Sequence, residues 1–341
     1  MTEERDRIVA FLRERGATPA ELEGDDIELF ETAMDVLYRP DRPSLTLPEF
    51  AARVGAEPDE VARLWRALGL AVPAPDEVAF GEADVRLVAR MRDVGDLFGD
   101  DARLAMARVA GASMARLADA GTSSFVTSQA LPLVDGLIPF EAVEINALVA
   151  DSLPAFMDAL DTLFRRHLMV VRRTVESVQV HGAETQDLVV AFADLVDSTA
   201  LAGSMALTEL SSTIDHFEAT ATDIVVGHGG RVIKFIGDEV MFVHADAAGA
   251  VAAGRDLLAA EGVPPMRVGI DAGPVLTREG DFFGPVVNVA ARATSLTAAG
   301  SIMVTDAVVA RLGDRFEALS RGAIDVRGHG SVAFWELGPD R

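Results

Sequence analysis

Two hydrophobic rhythms divide the chain. Up to about residue 178, apolar positions recur every three or four residues, the period of amphipathic helices. Beyond about residue 185 they gather into short, near-continuous apolar runs separated by helical stretches, the pattern of buried strands. In the first part, "EERDRIVAFLRERG" stops at Gly16, and "DDIELFETAMDVLYRP" opens on acid and leaves through a proline. "TLPEFAARVGAEPDEVARLWRALGL" reads as two short helices broken at Gly55 and restarted around Pro58. "EADVRLVARMRDVGDLF" and "DARLAMARVAGASMARLADA" add two more. Residues 121–140 carry a single charge, Asp135, and read as a buried connector or the wall of an apolar pocket. From about 153 to 178, Leu153, Met157, Leu160, Phe164, Leu168, Val171, Val175 and Val178 keep the helical spacing. That predicts one uninterrupted helix with the seam of a helix pair or short coiled coil. Arg165, Arg166, Arg172 and Arg173 form a basic band on it, read as a solvated face. A polar linker, "ESVQVHGAETQD", follows.

In the second part, "DLVVAFAD" predicts a buried strand, and residues 197–230 a helix with Ser and Thr at its start and glycines at its end. Residues 231–243 predict two strands around a turn at Gly237. Next come a helix over 246–261, a strand over 266–271, a glycine-rich loop through 284, a helix over 286–298 and a strand over 301–304. Residues 305–337 add a short helix and more strands. This order predicts an α+β fold, helices on a mostly antiparallel sheet, behind a helical N-terminal half.

Composition narrows the function. At 341 residues the chain has room for two domains, and half of it is apolar. A net charge of −24 and a pI near 4.5 oppose broad nucleic-acid binding and docking on anionic membranes. A phosphate ligand would need a local site, with metal cations supplying positive charge. The absence of cysteine excludes disulfides, thiolate catalysis and cysteine metal sites. The first sixteen residues lack a signal-peptide core, and no uncharged apolar run reaches the roughly 18–20 residues of a membrane span. The expectation is a soluble, cytoplasmic protein.

The candidate chemistry lies at strand ends. Asp194 closes the first buried strand, and Asp238 stands at the hairpin tip with Lys234 behind it. Either aspartate alone reads as a cap or turn residue. As a pair they suit hard divalent ions, which can clamp a phosphoryl transfer. The helix start after Asp194, with Ser198 and Thr199, offers backbone N–H groups to a triphosphate.

"VVAFADLVDSTALA", "GGRVIKFIGDEVMFV", "MRVGIDAGPVLTREGDFFGPVVNVAARAT" and "GSIMVTDAV" together resemble the catalytic domain of class III nucleotidyl cyclases, over about residues 185–338. The resemblance implies a ferredoxin-like catalytic domain and the conversion of ATP to cyclic AMP and pyrophosphate. It implies a homodimer with active sites shared between chains and two Mg²⁺ or Mn²⁺ ions per site. Asp194 and Asp238 match the metal aspartates. Lys234 and Asp281 match the adenine-reading pair, and Asn288 and Arg292 match the transition-state pair. Arg327 or His329 would meet the triphosphate. Leu195 stands where many members have isoleucine. Asp197 and Ser198 stand where many have Gly-Phe, which puts an extra carboxylate near the phosphate loop. The alternatives are a guanylate cyclase, a catalytically silent nucleotide-binding sensor, or a DNA-binding regulator.

"TLPEFAARVGAEPDEVARLWRALGL" resembles the helix-turn-helix of MerR-type regulators. Glu57, Asp59 and Glu60 would present acid to DNA phosphates, so nucleic acid is not an expected partner. The whole layout is similar to actinobacterial cyclases with an autoinhibitory, pH-responsive N-terminal domain. It implies a regulatory domain over 1–152, a connecting helix and linker over 153–184, and a catalytic domain over 185–341. His167 and His181, on or beside the connector, are the candidate proton sensors. Residues 121–140 are the candidate pocket for a lipid-like signal.

Overall fold

The computed structural model of the protein describes residues 2–23, 25–128, 140–177, 185–197, 203 and 205–340. It divides into two compact units, Met1–Arg165 and Arg166–Arg341.

The first unit is helical: α1 (Thr2–Glu14), α2 (Asp26–Tyr38), α3 (Leu47–Val54), α4 (Pro58–Ala67), α5 (Glu82–Phe98), α6 (Asp100–Ser128) and the start of α7 (Phe140–Ser177). It holds two apolar clusters. Leu12, Leu29, Ala33, Phe140 and Val143 tie α1, α2 and α7 together. Phe50, Trp65, Phe80 and Val88 tie α3, α4 and α5, with Phe50 stacked on Phe80 at 4.5 Å. Thr46 and Glu49 cap α3, and Gly55 ends it at φ 65°, a conformation glycine takes without steric cost.

α7 begins thirteen residues before the predicted start and runs through Pro154. A proline inside a helix removes one backbone bond, but here the first turns are anchored independently. Phe140, Val143 and Ala147 are buried, Tyr38 donates to Asn146 Oδ1 at 2.9 Å, and Arg15 pairs with Asp151 at 2.7 Å. Of the apolar seam, Leu153, Met157, Phe164, Leu168 and Val171 are 37–59% exposed in the single chain. Residues 129–139 of the apolar 121–140 segment lie outside the described residues, and 121–128 continue α6.

The second unit comprises β1 (Thr185–Leu195), α8 (Leu207–Gly227), β2 (Arg231–Ile236), β3 (Glu239–His244), α9 (Ala247–Leu258), β4 (Met266–Arg278), β5 (Asp281–Phe283), α10 (Pro285–Leu296), β6 (Ile302–Thr305), α11 (Asp306–Leu312), β7 (Phe316–Val326) and β8 (Gly330–Asp340). Seven strands run in the order β2-β3-β1-β4-β6-β8-β7, with β5 paired to β4. Every pairing is antiparallel except β4 with β6. The period-two alternation of β1 sorts its side chains between two faces. Val189, Ala191, Ala193 and Leu195 pack with Phe217, Val225 and Leu257 beneath α8 and α9. Leu188, Val190 and Phe192 pack with Val286 and Ala290 beneath α10. Asp194 continues that second series.

The predicted glycine-rich loop after 271 is instead the outer half of β4. Gly273 and Pro274 read as loop residues, yet Leu188 and Asp187 of β1 pair with them, and a tertiary partner overrides local preference. Glu279 and Gly280, both at positive φ, turn the chain into β5. Gly269 shows how tightly α10 is seated. A Cβ there would lie 2.1 Å from the Thr294 backbone nitrogen and 2.6 Å from Ala290 O.

Candidate active site

Strand register builds the acidic end of the site. Asp194 on β1 has Glu239 of β3 and Arg267 of β4 as its cross-strand neighbours. Arg267 donates twice to Asp194 Oδ2, from Nε at 2.8 Å and from Nη2 at 2.5 Å. Burial raises the Asp194 carboxyl; Arg267 opposes this and the charge of Asp238 adds to it. Burial, and then the charges of Asp194 and Asp238, push Glu239 up to about 7. Three carboxylates thus crowd one end of the sheet, and only Asp194 is bonded to the Arg267 guanidinium. A divalent cation would relieve this crowding, so the donor set fits one. Among the described residues no group of three or more His, Asp or Glu side chains forms a ready metal cage. Two aspartates are the kind of set on which Mg²⁺ keeps water and substrate oxygens as its other ligands.

A second cluster joins the β2–β3 hairpin to β5. The β2 register shifts between Val232 and Lys234, and Lys234 Nζ donates to Asp281 Oδ2 at 2.5 Å. Asp281 Oδ1 accepts the Phe282 N–H at 2.8 Å, which fixes the carboxylate plane. Both side chains remain partly open to solvent, at 39% and 30%.

Asn288 and Arg292 sit one turn apart on the exposed side of α10, while Val289 and Ala293 face the core. Arg292 Nη1 donates to Ser295 Oγ at 3.3 Å. Asn288 Nδ2 lies 3.3 Å from Nε2 of His329, which stands in the β7–β8 turn beside the exposed Arg327. His167 is exposed on α7. Ser198, Thr199 and His181 lie outside the described residues. Asp197 takes φ 60°, a left-handed position that aspartate tolerates and that favours glycine.

The structure thus brings together Asp194 with Asp238, Lys234 with Asp281, and Asn288 with His329. Sequence reasoning missed Arg267 and the buried Asp271, whose Oδ1 accepts from Thr305 Oγ1 at 2.5 Å and Ala272 N at 2.8 Å. One signal was available. Val268, Ile270 and Ala272 alternate into the core, so Arg267 and Asp271 must share the face of Asp194.

The family described as the adenylate and guanylate cyclase catalytic domain matches residues 258–338. An adenylate cyclase of Streptomyces coelicolor is 34% identical over 274 residues, covering 78% of this chain and 71% of the relative. An adenylate cyclase of Glutamicibacter nicotianae is 32% identical over 318 residues, covering 85% and 77%. A pH-sensitive adenylate cyclase of Mycobacterium tuberculosis is 29% identical over 332 residues, covering 92% and 81%. Among solved structures, the adenylyl cyclase CyaB from P. aeruginosa aligns at 24% identity over 47% of this chain and 98% of its own, with a TM-score of 0.42. With the catalytic-domain match and relatives alike over more than two thirds of both lengths, the chain belongs to the class III adenylate and guanylate cyclases.

Proposed function

We propose that this protein is an adenylate cyclase that converts ATP to 3′,5′-cyclic AMP and pyrophosphate, as a homodimer whose active sites draw on both chains. The observation that carries the choice of base is the Lys234–Asp281 pair, a donor and an acceptor held side by side. Adenine offers an acceptor at N1 and a donor at its 6-amino group, which this pair complements. Guanine offers the reverse polarity and would leave both groups mispaired.

In the reaction the ribose 3′-oxygen attacks the α-phosphorus, the bond to the β-phosphate breaks, pyrophosphate leaves, and the 3′-hydroxyl proton passes to solvent. Asp194 and Asp238 would hold the two Mg²⁺ or Mn²⁺ ions. When bound, such ions ease ionisation of the 3′-hydroxyl and neutralise the triphosphate. Arg267 takes only Oδ2 of Asp194 and fixes the orientation of that carboxylate. Arg292 stabilises the charge developing at the α-phosphate, and Asn288 orients the ribose. Arg327 meets the triphosphate, with the backbone of Ser198 and Thr199. Residues 1–152 regulate the site through the 153–184 connector; the relative named pH-sensitive supports a proton signal, and a lipid-like ligand is the other candidate.

The test is product formation by the purified chain from ATP and from GTP, with Mg²⁺ or Mn²⁺, separated by chromatography. Two mispaired groups at about 1 kcal/mol or more each predict an ATP preference of at least about 30-fold. Equal or greater cyclic GMP would make it a guanylate cyclase, and no product from either would make it a nucleotide-binding sensor.

A further inference from the structure

The β7–β8 turn carries a histidine to the helix that bears Asn288. Gly328 and Gly330 flank His329 at φ 82° and 73°, and the His329 N–H closes the turn on Val326 O at 2.8 Å. Val326, Ile324 and Val332 of the hairpin pack with Val289, Ala293 and Leu296 of α10, so the turn and the helix form one packed corner. Across it, His329 Nε2 lies 3.3 Å from Asn288 Nδ2. An amide NH₂ donates, so in this arrangement the ring nitrogen is the acceptor. We propose that His329 is a positioning residue that holds the Asn288 amide by its Nδ2, which leaves Oδ1 available to the nucleotide. This rests on the cyclase reading above and assigns His329 a role other than triphosphate binding.

Charged groups on the elements packed here include Asp271 on β4, Arg292 on α10, Asp325 and Arg327 on the hairpin, and Arg311 on α11. Asp271 is buried and lies within electrostatic reach of both Arg311 and His329. Arg311 is itself engaged by Asp187 at 2.6 Å. A histidine changes charge between about pH 5 and 8. Once both ring nitrogens carry protons, Nε2 no longer accepts. Asn288 must then release the ring, or rotate its amide and commit Oδ1 to the hairpin. The consequence is an acid-side fall in kcat built into the catalytic unit itself.

The test uses the full chain with ATP and Mn²⁺ from pH 5.5 to 8.5. His329→Ala should lower kcat at pH 8 by roughly three- to tenfold, the worth of one hydrogen bond, with KM nearly unchanged. His329→Gln supplies an amide oxygen that accepts without titrating; it should recover most of that kcat and flatten the acidic limb. A second readout needs no turnover. The chain has two asparagines, Asn146 and Asn288, so ¹⁵N-asparagine labelling gives two side-chain amide pairs, assigned with Asn288→Ala. The Asn288 pair should shift with pH in the wild type and stay still in His329→Gln. The proposal is overturned by wild-type kcat in His329→Ala, by an Asn288 amide that ignores pH, or by a raised KM in His329→Gln, which marks a triphosphate contact. If the wild type makes no cyclic AMP, the cyclase reading fails, and the amide titration still decides the contact.

Discussion

Replacing Gly269 by alanine would drive a methyl group into the backbone of α10, the helix that carries Asn288 and Arg292. The new Cβ would lie 2.1 Å from Thr294 N, 2.4 Å from Thr294 Oγ1 and 2.6 Å from Ala290 O. Ordinary contact begins near 3.4 Å, so the helix must lift by about 1 Å. Overpacking a core costs about 1–3 kcal/mol, and backbone atoms cannot swing aside, so the upper end applies. For a unit of this size that lowers Tm by about 6–12 °C. A 1 Å displacement of positioning groups can also cost roughly 10²-fold in turnover. Gly254→Ala is the control. Its Cβ would meet side-chain atoms, Ile302 Cδ1 and Val268 Cγ1 at 3.3 Å and Val268 Cβ at 3.9 Å, under α9 on the opposite face. Alanine gains about 1 kcal/mol of helix propensity there, which offsets the tight fit. Calorimetry and steady-state turnover of both variants decide the matter. If Gly269→Ala melts within about 2 °C of wild type with full kcat, α10 is not seated on β4 as described.

Two further predictions concern charge. The Thr18 N–H and then Arg39 hold the Glu21 carboxyl down at about 2. Its folded value lies below the unfolded one, so its stabilisation is complete above about pH 4.5 and is lost as pH falls toward 2. The shift corresponds to about 3 kcal/mol at most, and solvent screening of this partly exposed pair reduces it to about 1 kcal/mol. Glu21→Gln should therefore lower unfolding free energy by about 1 kcal/mol at pH 7 and by less than half of that at pH 3; denaturant curves showing the same difference at both would rule the linkage out. Asp238→Ala should lower cyclic AMP formation by roughly a hundredfold or more while Tm stays within a few degrees, and retained turnover would remove Asp238 from the metal site.

The near-continuous apolar run of "DLVVAFAD" placed Asp194 near the end of a strand buried on both faces, because such a run closed by a carboxylate is legible without knowing its neighbours. The outer half of β4 was not legible, since Gly273 and Pro274 signal a loop and only pairing with β1 makes them strand. The early start of α7 was hidden for a related reason. Pro154 looks like a first helical position, and the burial of Phe140 and Val143 that overrides it depends on α1 and α2. Within the site, Lys234 and Asp281 are forty-seven positions apart and Asn288 and His329 forty-one. Spacing alone relates neither pair. The family pattern joined the first, and only the packed corner of α10 and the β7–β8 turn joins the second.

The proposal of an active site shared between two chains is tested most directly by mixing two inactive chains. On the proposed reading, Asp194→Ala removes a metal carboxylate and Asn288→Ala removes a ribose-orienting amide, so each homodimer should be silent. When the two are unfolded together and reassembled, about half of the dimers are mixed and each mixed dimer keeps one intact site. Cyclic AMP formation approaching roughly a quarter of the wild-type rate is the predicted result. Mixed dimers, verified by differential tags, that remain as silent as their parents would contradict it.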